Sequence, residues 1–297
     1  MSALYMKSIK FRLNQLSRVV LSLIKYFNKR IRERMHYDRE DEIFSSKYIH
    51  LPRGFNDISK RKFLKRGYRD EVEIQSMIES VSDYTMVTYD GLASVCDIIR
   101  FVEQNSISGC FVELGTWKGG TLALMGLASL KYGKGDRILW GFDSFRGLPS
   151  PHGVFDKTSF LNSEFGLDHA DYDKGLSPIN ALTADVANIH GIINTVGYPI
   201  ERVRVIEGWF QETIPVVKNE LGTIALLRMD GDLYDSYKIP LEALYDQVAE
   251  GGFIIFDDWM LKGCRQAVLE FFETLPVKPF IHKADYSVRY IRKARMG

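Results

Sequence analysis

The chain has 297 residues, enough for one large domain or a domain with additions, and its 45% apolar content supports a sizeable core. A formal net charge of +1 argues against a nucleic-acid binder, and the longest early apolar run, residues 19–24, is too short to span a membrane. Three cysteines, Cys96, Cys110 and Cys264, lie far apart in no metal-ligand spacing, so they read as buried, reduced thiols in a cytoplasmic protein.

The charge is unevenly placed. Residues 1–35 hold nine Lys/Arg and one acid, so the remainder carries a net negative balance. Ile9, Leu13, Leu16, Val20, Leu23 and Phe27 fall at steps of three and four, which predicts an N-terminal helix. With its basic residues, this arm over 7–34 fits peripheral contact with an anionic membrane, or packing on the body of a homo-oligomer. Residues 36–70 are charged, contain Pro52 and Gly54, and read as a linker. Domain boundaries are therefore expected at 1–70 for the arm and linker and 71–297 for the α/β body.

A helix is expected from Tyr89 to Gln104, with Leu92, Val95, Ile99 and Val102 as its apolar stripe. The sheet begins at residues 110–114 (CFVEL) and runs into GTWKGG at 115–120, then into an apolar segment from Thr121 to Tyr132. Strand, glycine-rich turn and helix in that order let a ligand approach the backbone at a helix N-terminus. The turn lacks the spacing of a dinucleotide fold and the Lys-Ser/Thr ending of a P-loop. With Glu113 at the strand end, it suits a cationic amino-acid ligand. The next strand, Arg137 to Phe142, ends in Asp143, where a ribose is commonly gripped.

Residues 146–180 are rich in Gly, Pro, Ser, Asp and Phe with little periodicity, too long for a plain connection, and are expected to form a lid or substrate loop. His152, His169 and Tyr172 in or near it are candidate bases. A helical pattern follows from Ala181 to Val196. Val203 to Ile206 is read as a third strand leading to Trp209, which would either stack on a purine or join the core. Ile224 to Met229 is a fourth strand that ends in Asp230, Gly231 and Asp232. A helix is expected from Ser236 to Glu250, with Pro240 in its first turn and Gly251 and Gly252 as its stop. Gly252 to Phe256 is a fifth strand, ending in Asp257 and Asp258. A helix from Gly263 to Leu275 and two closing strands, 277–282 and 287–291, complete the chain. Two strands that deliver acids to one sheet edge suggest a hard metal ion.

Five segments in this order resemble one family: VELGTWKGG at 112–120, GFDSFRGLP at 141–149, EGWFQETIP at 207–215, MDGDLY at 229–234 and DDW at 257–259. The chain resembles the macrocin O-methyltransferases, class I S-adenosylmethionine-dependent enzymes that methylate sugar hydroxyls with Mg²⁺. The resemblance spans roughly residues 85–292. It implies a doubly wound, Rossmann-like, mostly parallel seven-strand α/β sheet carrying an N-terminal helical extension. It also implies that Glu113, Gly115 and Thr116, with Gly119, meet the methionine part of the cofactor. Asp143 and Ser144 would meet the ribose, Gly208 and Trp209 would lie near the adenine, and Thr85 and Met86 would cover the cofactor. Asp230, Asp257 and Asp258 match the family's metal ligands, and Asp230 is also the catalytic candidate. Gly231 permits a close turn, and Asp232 is left to shape the loop.

The expected activity is methyl transfer from S-adenosylmethionine to a hydroxyl, on a sugar of a natural product or glycan. Two rivals remain. Asp230-Gly231-Asp232 is a D-x-D, as in an Mg²⁺-dependent glycosyltransferase, though that reading leaves the 113–120 turn without a role. A non-catalytic methyltransferase-like scaffold would show an eroded cofactor site, yet the acids and glycines are present.

Overall fold

The computed structural model describes residues 70–294; the basic arm over 7–34 and most of the linker lie outside the described residues. Helix α1 (Glu71–Val81) and α2 (Tyr89–Gln104) precede strand β1 (Cys110–Leu114) and α3 (Gly120–Tyr132). Then come β2 (Leu139–Asp143), α4 (Ser159–Phe165), α5 (Val186–Val196), β3 (Val203–Glu207) and α6 (Phe210–Leu221). β4 (Ile224–Met229), α7 (Tyr234–Leu244), β5 (Val248–Phe256), α8 (Lys262–Glu273), β6 (His282–Lys283) and β7 (Arg289–Arg292) complete the fold.

The seven strands form one sheet in the order β3-β2-β1-β4-β5-β7-β6. β1 to β5 run parallel, and β7 is antiparallel to both β5 and β6. This is the doubly wound, mostly parallel sheet expected from the sequence. Every residue of β1 and β4 is buried, so these strands read as continuous runs rather than alternating ones. Strand order reverses between β1 and β4, which places a crevice at their carboxyl ends. Among the described residues no helix is long and apolar enough to cross a membrane.

The α2 stripe is buried as expected, and the Thr88 side chain caps the helix by accepting from the Gly91 N–H at 3.1 Å. Helix α1 falls in a stretch left unassigned from the sequence; Ile74, Ile78 and Val81 bury its one apolar face in the core. The helix expected from Ser236 to Glu250 is shorter and earlier. It begins at Tyr234, ends at Leu244, and holds Pro240 in its interior, where a proline removes a helical N–H. Val248, 2% exposed, already pairs with Ile224, so Gly251 and Gly252 lie inside β5 instead of stopping a helix. The β4–β5 register shifts there, and Gly251 takes a φ of 81° that permits the irregularity. The two closing strands are also shorter than expected, and Val277 and Phe280 before β6 are exposed.

Residues 146–180 form a laced insert rather than an open loop. Its ends meet through Leu148 N–H to Ala181 O and Ile179 N–H to Leu148 O, both 3.0 Å, beside a bridge between Pro149 and Pro178. Within it Thr158 caps α4.

Candidate active site

One cavity opens at the carboxyl ends of β1, β2, β4 and β5. Its β1 side is built largely from backbone. Gly115 leaves β1 with a φ of +89°, and a Cβ there would lie 1.7 Å from the Asp230 carbonyl oxygen, so no other residue fits. Trp117 turns the chain with a φ of 46°, and its N–H donates to Asp143 Oδ2 at 2.7 Å. Asp143 Oδ1 accepts from the Phe145 N–H at 2.8 Å. Burial pushes the Asp143 carboxyl up, while these backbone donors hold it down. Ser144 is buried beside it; its hydroxyl donates to the Gly147 carbonyl and accepts from the Arg146 N–H.

Thr85, Met86, Glu113, Gly115, Thr116, Asp143, Ser144, Gly208 and Trp209 all line this cavity. Gly119 does not. It packs its Cα against Ile189 of α5, while Gly120 lets the Tyr84 carbonyl pass within 2.6 Å of where a Cβ would stand. That crossing brings the 84–88 segment over the start of α3, where the Thr85 and Thr121 hydroxyls lie 3.1 Å apart.

Beside this backbone cradle lies a charged cluster. Asp230, Asp257 and Asp258 each offer a carboxylate oxygen, all within 4.8 Å of one another. Asp230 reaches its place because its N–H bonds the Leu114 carbonyl at 2.8 Å; Asp257 is held likewise by the Met229 carbonyl at 2.9 Å. Asp258 Oδ2 accepts from the Asp232 N–H at 3.0 Å and lies 2.9 Å from the Tyr237 hydroxyl. Asp232 itself sits at φ 60°, a left-handed turn that aims its N–H at Asp258. Burial, reinforced by the neighbouring carboxylates, pushes Asp258 and Asp232 well above the usual range. For Asp257, burial raises and Arg228 opposes, with the net still upward.

Arg228 is the residue that the sequence reading missed. It is the penultimate residue of β4, 1% exposed, where the run of apolar neighbours masks it. Its Nη1 donates to Glu113 Oε1 at 2.7 Å, and its Nη2 reaches Asp230 Oδ2 at 2.9 Å and Asp257 Oδ1 at 2.5 Å. Burial works against this charge, and Asp257, Asp230 and Glu113 outweigh it. The one available signal was that a lone cation inside a buried strand demands carboxylate partners.

Two side-chain oxygens in the cavity wall, Glu113 Oε2 and Thr116 Oγ1, are buried with no hydrogen-bond partner among the described residues. Burial lifts Glu113 to about 8. A cationic donor in the cavity would satisfy Oε2 and draw that carboxyl back to its charged form. Of the candidate bases, His152 lines a neighbouring cavity and not this one. The Tyr172 hydroxyl lies 2.5 Å from Asn162 Oδ1 inside the insert. The His169 side chain lies outside the described part of the chain.

A seven-strand sheet with β7 placed antiparallel beside β5, and a glycine turn under a buried acid at the end of β1, define a class I S-adenosylmethionine-dependent O-methyltransferase. The chain belongs to the macrocin O-methyltransferase (TylF) family, whose sequence profile matches residues 55–293. It is 32% identical over 209 residues to demethyldecarbamoylnovobiocin O-methyltransferase of Streptomyces niveus, covering 69% of this chain and 73% of that one. It is 27% identical over 253 residues to mycinamicin III 3''-O-methyltransferase of Micromonospora griseorubida, covering 80% and 95%. The structure of the O-methyltransferase NovP superposes with a TM-score of 0.65 at 25% identity, over 76% of this chain and 100% of that one.

Proposed function

We propose that this enzyme methylates a hydroxyl of a sugar borne by a natural product or glycan, with Mg²⁺ held by Asp230, Asp257 and Asp258. The observation that carries the reading is the set of three carboxylate oxygens within 4.8 Å, in the wall of the cavity that also holds the β1 glycine turn. Arg228 offsets part of the charge on Asp230 and Asp257 but does not reach Asp258, and the three oxygen donors suit Mg²⁺. A divalent cation bound there lowers the pKa of a coordinated hydroxyl and fixes its position. The sugar assignment follows a Streptomyces olivaceus relative, 31% identical over 191 residues, whose name specifies 4'-O-methyl transfer on a rhamnosyl-bearing tetracenomycin.

The chain's own residues divide the remaining work. Glu113 and Thr116 offer their unpartnered oxygens to the methionine end of the cofactor, with Gly115 allowing close backbone approach. Asp143 takes the ribose, Trp209 and Gly208 flank the adenine, and Thr85 and Met86 cover the cofactor. Ser144 serves the ribose through the shape of its turn, since its hydroxyl is committed to Gly147. Holding sulfonium carbon and acceptor oxygen in line converts the displacement into an intramolecular event. Asp230 touches both halves of the cavity and is the catalytic carboxylate of this reading. The candidate bases His152 and Tyr172 stand outside the cavity, and a carboxylate of its wall or water is the proton acceptor of this reading.

Asp230→Ala tests this. The expected result is a fall in kcat of at least ~10²-fold, on the scale of losing one electrostatic element of a catalytic site, with S-adenosylhomocysteine affinity retained by calorimetry. Normal turnover by that variant in excess chelator would overturn the metal assignment.

A further inference from the structure

A second cavity of about 240 Å³ lies directly against the first and shares Pro149, Gln211 and Ser236 with it as a common wall. Its free volume far exceeds the ~10–15 Å³ that one water needs. It is bounded by the insert on one side and by the first turn of α7 on the other. The floor of this second cavity therefore begins at Leu233, the residue after Asp232, and continues through Asp235 and Ser236.

The cavity is preformed. Asp156 of the insert, 2% exposed, accepts from the Tyr234 N–H at 2.8 Å and from the His152 N–H at 2.9 Å. It thereby supplies α7 with a cap from a distant part of the chain. Phe155 stacks on Tyr234 with ring centroids 3.9 Å apart. A Cβ on Gly263 would lie 2.0 Å from Asp156 Oδ1, so α8 closes on the same carboxylate. The insert is clamped to the body at this point, and its cavity needs little ordering when filled.

The lining is mixed in a specific way. Ser236 is 4% exposed, and its hydroxyl has no hydrogen-bond partner among the described residues although it faces both cavities. This hydroxyl is open to a ligand in either cavity. The Gln211 amide and the Asp235 carboxylate are likewise uncommitted, and Pro149 and Leu176 supply apolar wall. Hydroxyl, amide and carboxylate facing apolar surface match a hydroxylated ring, which presents OH groups at its edge and C–H groups on its face.

We infer that this second cavity is an acceptor subsite that receives a further sugar ring, joined to the ring that is methylated. The acceptor is then at least a disaccharide or a glycan end, not a free monosaccharide. The inference rests on the reading of the protein as a sugar O-methyltransferase. Ser236 and Gln211, common to both cavities, span the junction between the rings, and Asp235 receives hydroxyls of the outer one.

The test uses the full chain with Mg²⁺ and methyl-labelled S-adenosylmethionine. The acceptors are a panel of methyl hexopyranosides and, for each, the disaccharide carrying that ring at its non-reducing or reducing end. Wild type should show kcat/KM at least about tenfold higher for the disaccharide of a reactive pair, equivalent to one or two hydrogen bonds. Leu176→Trp, which fills the cavity, should remove most of that preference through KM. Asp235→Asn should reduce it about threefold to tenfold, and S-adenosylhomocysteine binding reports that each variant is folded. Equal use of both members of every reactive pair, or a preference that survives Leu176→Trp, overturns the subsite. Absence of transfer to every sugar by an enzyme that binds S-adenosylhomocysteine overturns the sugar reading on which it stands.

Discussion

The two halves of the cavity are built from different materials. The half at β1 and β2 is made of backbone: a glycine at φ +89°, peptide N–H groups bound by Asp143, and two oxygens left open. The half at β4 and β5 is made of charge: three carboxylates and a guanidinium that is 1% exposed. The first half recognises by shape and can be damaged by adding one carbon. The second is an electrostatic balance and is damaged by removing a partner. Arg228 joins them, because it touches Glu113 on one side and Asp230 and Asp257 on the other.

Breaking that join has the largest expected effect. Arg228→Met leaves three carboxylates without their protein cation, and such losses cost about 3–5 kcal/mol. Thermal unfolding should show this loss growing as pH rises, because Glu113 and Asp257, both already lifted by burial, must then carry charge without the guanidinium, with Mg²⁺ recovering part of it. A variant as stable as wild type at pH 8 without metal would separate the halves and sink the idea of a shared balance. The steric counterpart is Gly115→Ala. Left-handed strain and a Cβ 1.7 Å from the Asp230 carbonyl together cost roughly 2–5 kcal/mol. Because the displaced group is Asp230, the variant should lose activity more than stability, and a structure with Asp230 undisturbed would contradict this.

Glu113→Gln sharpens the comparison by changing charge without shape. Burial lifts the Glu113 carboxyl to about 8, against an unfolded value of about 4.3. The folded apo protein therefore holds this proton more tightly than the unfolded chain. Its contribution to stability is fully present below about pH 4, and it is lost as pH rises through about 8. The variant should flatten that part of the pH–stability curve, and it should weaken S-adenosylhomocysteine roughly 10–100-fold through loss of a charged hydrogen bond. An unaltered slope would mean that the lifted carboxyl lies elsewhere. The smallest effect is expected at the rim. Thr88→Val removes the α2 cap and the bond that its hydroxyl donates to Asp285, lowering stability by about 1 kcal/mol. A larger loss of cofactor affinity than of stability would show that the 84–88 segment closes the backbone half.

The same division explains what could be read from the chain. Cys110–Leu114, Ile224–Met229 and the helix at Tyr89–Gln104 announce themselves by apolar runs and stripes, and so does the order of acids at the strand ends. Arg228 does not, because a charge inside a run of Leu and Met has no local signature; its meaning lies in residues 115 positions before it and 29 after. Helix α6 is obscured by Pro215 inside it, since a proline argues locally against the helix that tertiary packing maintains, and Pro240, read as a first-turn residue, puts the expected start of α7 too late. Gly251 and Gly252 look like a helix stop only until the β4–β5 irregularity is seen. Gly119 looks like a ligand contact, but it makes room for Ile189, as Gly120 does for Tyr84.

The closed ends of the insert make it a natural unit of exchange. Leu148 and Ala181 leave and rejoin the body side by side, so a differently built segment could be grafted between them without stretching the sheet. The graft would carry two obligations beyond its own boundaries, a glycine at position 263 and an uncapped amide at Tyr234, because both are fitted to Asp156. A chain lacking either feature would have to alter α7 or α8 before it could take such a graft.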